Sequence, residues 1–140
     1  MTIDEAQKAI IHEFARFHDR LGQYEHLIDL GTKLIPPDEG FRNDRNALQG
    51  CQSQVWISGA VADGRLSFTA DSDSVIIKGV LVLLLRVIND RTPAEIVSAD
   101  LYFLKEVGLS TNLSPARANG LAAIVRHLRR LGERAGTATL

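Results

Sequence analysis

The strongest candidate for chemistry in this sequence is its single cysteine, Cys51. It lies in the run "NALQGCQSQVW", residues 46–56, where its neighbours are glutamine, serine and glycine. A lone cysteine is most often a small buried hydrophobe. A polar, glycine-marked position just before a predicted strand instead favours a thiol presented on a rigid scaffold. No histidine or lysine lies nearby in the sequence to lower its pKa, and an ordinary thiol, with a pKa of about 8.5, is only slightly ionised at neutral pH. These residues therefore suit a carrier or acceptor thiol better than a self-sufficient enzyme, and an inert buried thiol stays an equal alternative.

The four histidines form no recognisable metal or catalytic motif. His12 and His18 are six residues apart, whereas two zinc ligands on one helical face need a spacing of four. His26 and His127 are isolated, so we expect structural or surface roles for both. The sequence also has no glycine-rich phosphate loop after a strand and no G-x-S-x-G nucleophile elbow.

Arginines stand out at both ends of the last predicted helix. Arg117 falls in the first turn after Ser114 and Pro115, where the helix dipole disfavours a cation by about 0.3–1 kcal/mol. We therefore expect it to have a partner, either a structural Asp or an anionic reaction centre. Four more follow toward the other end: Arg126, Arg129, Arg130 and Arg134. Because cations are favoured near a helix C-terminus and the chain as a whole is not basic, we interpret these four as a solvated helix face rather than a basic docking patch.

The composition indicates one globular domain spanning residues 1–140. Sixteen basic and 17 acidic residues give a net charge of −1, so the chain has no overall attraction for nucleic acid or an anionic membrane. The longest apolar run, Val80 to Leu85, is far shorter than the roughly 20 residues of a membrane span. The N-terminus lacks the pattern of a secretory signal. We expect a reduced, cytoplasmic protein.

The elements that would position these side chains are mostly helical. Two amphipathic helices are predicted before Pro36, and a buried helix from Val75 to Ile88. Shorter helices follow "TPAE" and precede Gly108, and the last helix begins at Ser114–Pro115. Between them, Asp63–Gly64 predicts a tight turn joining two alternating strands. The fold class is therefore α+β, a small antiparallel β-sheet packed against several α-helices, with a frayed tail over residues 135–140.

Four sequence blocks resemble those of the SufE family of sulfur-acceptor proteins. They are "QGCQSQVW" (residues 49–56), "DSDSVIIKG" (71–79), "TPAEIV" (92–97) and "LSPARANGL" (113–121). The blocks occur in the family's order and spacing and the likeness extends over residues 21–131, whereas the first twenty residues match poorly. The resemblance implies a fold shared with iron–sulfur scaffold proteins of the IscU type.

The resemblance implies a persulfide relay through Cys51. A cysteine desulfurase of the SufS type would supply the sulfur, an iron–sulfur scaffold complex would receive it, and sulfur removal would stimulate the desulfurase. The chain would be an accessory protein rather than an independent enzyme. It would be a monomer or weak homodimer, with no metal, nucleic acid or membrane partner. It would bind no cofactor, because the pyridoxal phosphate belongs to the desulfurase.

The same resemblance implies roles for the residues around the thiol. Gly50 and Gln52 would shape the cysteine loop, Asp73 would influence its release and partner binding, and Arg117 would lie near it, in contact with Asp73. Two alternatives use Cys51 differently. A cluster scaffold would need several thiolates, and a thiol redox protein would usually need a resolving cysteine or an activating histidine. The sequence offers neither set.

Overall fold

The computed structural model describes residues 1–49, 53–109 and 113–138. Within these ranges the elements follow in the order α1 (Ile3–Phe14), α2 (Arg20–Thr32), β1 (Val55–Ala62), β2 (Arg65–Ser72), α3 (Val75–Ile88), α4 (Pro93–Ser98), α5 (Phe103–Glu106) and α6 (Pro115–Ala138). The two strands pair in an antiparallel sheet. The predicted α+β class is confirmed.

The hairpin turns at the predicted dipeptide. Asp63 and Gly64 have φ angles of 54° and 75°, the left-handed pair that a two-residue turn between right-twisted strands requires. The two strands are expected to alternate, and along β2 the alternation is seen: Leu66, Phe68 and Ala70 face the core between exposed residues. The alternation along β1 also predicts a buried face for Val61, but this residue is 46% exposed. The helix that covers the sheet, α3, packs on β2, so the distal half of β1 stays in solvent.

Helix α3 is the centre of the core, as its almost uninterrupted apolar sequence predicts. It crosses α2 at very close range through two glycines. A Cβ on Gly79 would lie 2.2 Å from the carbonyl oxygen of Leu27, and one on Gly31 would lie 2.3 Å from that of Val75. Gly31 and Gly79 are therefore required by packing, because no side chain fits at this crossing.

A polar cluster ties the first three helices together. Glu13 on α1 bonds His26 on α2 at 2.6 Å and Arg86 on α3 at 3.2 Å. The imidazole also stacks on Phe17 and meets the edge of Phe14. Burial raises the pKa of Glu13, but the hydrogen bonds from His26 and Arg86 outweigh it, and the pKa lies below its usual value. His26 is thus a satisfied structural histidine, as expected.

The last helix is longer than the sequence indicates. The hydroxyl of Ser114 accepts the backbone N–H of Arg117 at 3.4 Å, which confirms the predicted helix start. Residues 135–138, expected in a frayed tail, are helical, and Ala135 is buried. The reason is tertiary: α6 packs along α4, with Gly132 against Ile96.

Candidate functional site

Cys51, Gly50 and Gln52 lie outside the described residues, and backbone hydrogen bonds join the chain on their two sides. We call residues 49–54 the Cys51 segment. At its base the N–H of Leu48 donates to the carbonyl of Val55 at 2.8 Å, and the N–H of Ile57 donates to that of Asn46, also at 2.8 Å. Residues 46–48 thus run antiparallel to the start of β1, with Ala47 opposite Trp56. The ends of the segment are fixed by backbone hydrogen bonds.

Asp73 holds the C-terminal end of the Cys51 segment. Its carboxylate accepts the N–H of Gln54 at 3.0 Å, and its own N–H donates to the Gln54 carbonyl at 3.2 Å. The hydroxyl of Ser72 donates to that same carbonyl at 2.7 Å. The junction between β2 and α3 therefore clasps the residue at which the segment enters β1. Asp73 itself is exposed, so its carboxylate is accessible from solvent.

A second acidic residue, Asp71, is buried two positions earlier. Its Oδ2 accepts Nε–H of Arg42 at 2.8 Å, and the Arg42 guanidinium also donates to the carbonyl of Ser72 at 3.2 Å. That guanidinium lies 4.6 Å from the ring centroid of Trp56. Lys78 adds a weaker contact, 3.9 Å from Asp71 Oδ1. Together these contacts fasten the irregular chain before the Cys51 segment to the sheet.

Arg117 approaches the other side of the segment. It lines a small cavity of about 10 Å³ together with Ser53, Val55, Ile77, Ala116, Gly120 and Ile124. Ser53 is the first described residue after Cys51 and Gln52. Thus Asp73 and Arg117, two residues singled out from the sequence, both border the Cys51 segment.

The expected contact between Asp73 and Arg117 is not formed. In residues 1–49, 53–109 and 113–138, no ion pair or side-chain hydrogen bond involves the Arg117 guanidinium. The reason is that Oδ1 of Asp73 is directed to the backbone of Gln54. Among the described residues, the positive charge of Arg117 beside Ser53 therefore has no acidic partner.

Open clefts border the segment on two further sides. One, of about 400 Å³, includes Arg42, Trp56, Gln49 and Ser53 in its lining. The other, of about 210 Å³, is lined by Ala47, Leu48, Gln49, Ala123, Arg126, His127, Arg130 and Arg134. We call the second the basic cleft. The pKa of His127 is lowered, mainly because the imidazole is partly buried and also because Arg130 and Arg134 are positively charged.

Sequence reasoning misses several of these residues. The run Asp71–Ser74 indicates a set of N-cap oxygens, yet Ser74 alone caps α3, and the other three hold Arg42 and Gln54. No local sequence pattern indicates the role of Arg42, because its partner, Asp71, lies 29 positions away. The C-terminal arginines are expected on a solvated face, but Arg129 donates to the carbonyl of Ala99 at 3.1 Å.

The described part of the chain contains neither a cluster of metal ligands nor a helix suited to a membrane. In residues 1–49, 53–109 and 113–138, no group of three or more His, Cys, Asp or Glu side chains is placed to hold a metal ion. None of the helices in these ranges is both long and apolar enough to cross a membrane.

Comparison with known proteins agrees with the resemblance of the four blocks. Residues 8–132 match the family model "SufE: Fe-S metabolism associated domain". An uncharacterized SufE-like protein of Synechocystis sp. is 38% identical over 117 residues, covering 84% of this chain and 74% of the relative. The solution structure of a hypothetical protein from Thermus thermophilus has the same fold, with a TM-score of 0.73 at 20% identity, over 94% of this chain and 96% of that one. The chain therefore belongs to the SufE family, whose domain is associated with iron–sulfur metabolism.

Proposed function

We propose that the chain is a sulfur carrier that accepts sulfur on Cys51 from a cysteine desulfurase of the SufS type. It stimulates that enzyme by removing its sulfur and passes the sulfur to an iron–sulfur cluster scaffold. The proposal refines the family's association with iron–sulfur metabolism to one step. The setting is a cytoplasmic one, and the chain acts as an accessory protein.

The transfer is a thiol exchange that needs no external oxidant or reductant. The desulfurase carries sulfur as a persulfide on its own cysteine. The thiolate of Cys51 attacks the outer sulfur of that persulfide and forms a new S–S bond. The original S–S bond breaks, and the desulfurase cysteine leaves as a thiolate. The outer sulfur keeps its proton or exchanges it with solvent. Such exchange depends on access to the target sulfur as well as on the pKa of the attacking thiol.

One observation carries the proposal: the only cysteine of the chain falls in a short segment whose two ends are fastened independently. Leu48 and Val55 close its base, and Asp73 holds Gln54. The flanks, Leu48 and Gln54–Val55, therefore have defined positions beside the sheet, and a thiol carried between fixed flanks suits transfer to a reactive group on a partner. The unneutralised Arg117 charge beside Ser53 would stabilise an anionic thiolate or persulfide there.

Mass spectrometry tests the proposal directly. The chain is incubated with the desulfurase, free cysteine and pyridoxal phosphate, and the intact mass and the Cys51 peptide are measured. We expect a gain of one or more sulfur atoms on Cys51 and faster desulfurase turnover. If sulfide is produced while Cys51 stays unmodified, the carrier function is wrong.

The matched control is Cys51→Ser, which replaces sulfur by oxygen with little change in size. It should unfold at the same temperature as the wild type but take up no sulfur and give no stimulation. A large loss of thermal stability in this variant would indicate instead that Cys51 is a structural residue.

A further inference from the structure

We propose that the basic cleft is an electrostatic docking site for a carboxylate-rich surface of the cysteine desulfurase, next to the Cys51 segment. The inference rests on the proposed function, because that function defines the partner. It concerns residues on the C-terminal half of α6 that the sequence blocks do not include.

The position of the cleft links it to the segment. One wall consists of Ala47, Leu48 and Gln49, the last of which is the residue before Gly50. The opposite wall is α6. A protein surface that fills this cleft therefore contacts the N-terminal end of the Cys51 segment as well. Docking in the cleft therefore brings the desulfurase to Gln49, two residues before Cys51 in the sequence.

The arginines form a regular row. Arg126, Arg130 and Arg134 are four residues apart, so they lie on one side of α6 and span about 12 Å along its axis. All three are exposed. The depressed pKa of His127 follows in part from Arg130 and Arg134, so this part of α6 already has a positive potential.

Within the part of the chain that the structure describes, these charges have no intramolecular partner. In residues 1–49, 53–109 and 113–138, Arg126, Arg130 and Arg134 take part in no ion pair and no side-chain hydrogen bond. Arg129, one residue before Arg130 and about 100° around the helix from it, donates to the carbonyl of Ala99 at 3.1 Å. Intramolecular packing thus accounts for Arg129 but not for the other three.

An acidic protein surface fits the row better than the other anionic ligands. A single phosphate or sulfate reaches one or two arginines, whereas a row of about 12 Å matches several carboxylates on a protein. Nucleic acid would require a larger basic surface and aromatic side chains for stacking. The chain has a net charge of −1, and the lining of the cleft contains no Phe, Tyr or Trp.

The test compares two double variants that each remove two positive charges. The double variant Arg130→Gln, Arg134→Gln removes two of the three positive charges of the row and keeps side chains that favour a helix. Lys8→Gln with Lys105→Gln, at exposed positions on α1 and α5, is the matched control. The dissociation constant for the desulfurase is measured for each chain at about 50 and 300 mM salt, together with sulfur uptake on Cys51.

We expect the arginine variant to bind the desulfurase about three- to tenfold more weakly at low salt, with a smaller loss at high salt. The lysine variant should bind like the wild type, and both variants should melt at the wild-type temperature. If wild-type Cys51 takes up sulfur but the two variants bind equally well, the docking site is wrong and the carrier function stands. If the wild type neither binds the desulfurase nor takes up sulfur, the carrier function fails, and the docking site with it. The inference would also be wrong if the arginine variant lost affinity for a single-stranded oligonucleotide but bound the desulfurase like the wild type.

Discussion

Replacing Asp73 should loosen the Cys51 segment without unfolding the protein. In Asp73→Ala the N–H of Gln54 loses the carboxylate that accepts it at 3.0 Å. The site is exposed, so water replaces the acceptor and the net loss is about 1 kcal/mol, the value typical of a single hydrogen bond. A loss of about 1 kcal/mol corresponds to a roughly fivefold change in an equilibrium constant.

Amide hydrogen exchange at Gln54, measured by NMR, reports this opening directly. We expect exchange at Gln54 to be about fivefold faster in Asp73→Ala, while amides in the middle of α3 keep their protection. Asp73→Asn is the matched control, because its side-chain oxygen can still accept the bond although the charge is lost. Exchange in Asp73→Asn should therefore lie close to the wild type.

The two variants also separate the hydrogen bond from the charge. Asp73 lies one residue before the N-cap of α3, where a negative charge interacts favourably with the helix dipole. Equal exchange rates in the wild type and Asp73→Ala would refute the reasoning, because the clasp would then contribute nothing. Equal acceleration in both variants would show that the charge, not the hydrogen bond, holds the segment.

Three further predictions concern the frame around the site. In a denaturant titration, Gly79→Ala should lower the unfolding free energy by about 1–3 kcal/mol, because the added Cβ meets the backbone of Leu27. Gly136→Ala is its control: the added Cβ lies 3.6 Å from the Cβ of Pro93, so this variant should be neutral or stabilising. Glu13→Gln should be less stable than the wild type above pH 4.5. In thermal unfolding at acid pH, this difference in unfolding free energy should shrink as the pH falls through the lowered pKa of Glu13, because the native carboxylate then becomes protonated. Arg42→Ala should lower the free energy of unfolding by about 1–3 kcal/mol in thermal unfolding, because the buried carboxylate of Asp71 then keeps only the N–H of Ser72 at 2.9 Å and Lys78 at 3.9 Å.

Features that depend on neighbouring residues could be predicted from the sequence. The turn at Asp63–Gly64 requires left-handed φ angles, which Gly adopts freely and Asp tolerates better than most residues. The capping boxes at Thr2 and Thr92 are also local, since hydroxyl and Glu side chain lie three residues apart. In each case the interaction that fixes the structure is contained within the pattern.

Features that depend on residues far apart in the chain could not be predicted from the sequence. Arg42 reaches Asp71 across 29 positions, and nothing near either residue indicates the other. The small and polar residues of the tail predict fraying, but α4 supports that end of α6. The arginines on α6 look alike in sequence, and only the packing separates Arg129 from the rest. The candidate site is built largely from contacts of this second kind.

The two aspartates before α3 illustrate how one short run can serve stability and function separately. Asp71 is 8% exposed and meets Arg42, so its removal disturbs the packing beneath the segment. Asp73 is exposed, and its carboxylate accepts only the backbone N–H of Gln54, a hydrogen bond worth about 1 kcal/mol. Loss of the Asp73 carboxylate therefore removes one hydrogen bond to Gln54, while the Ser72 hydroxyl and the Asp73 N–H still hold the Gln54 carbonyl. The buried pair and the Leu48–Val55 hydrogen bond leave the rest of the frame in place.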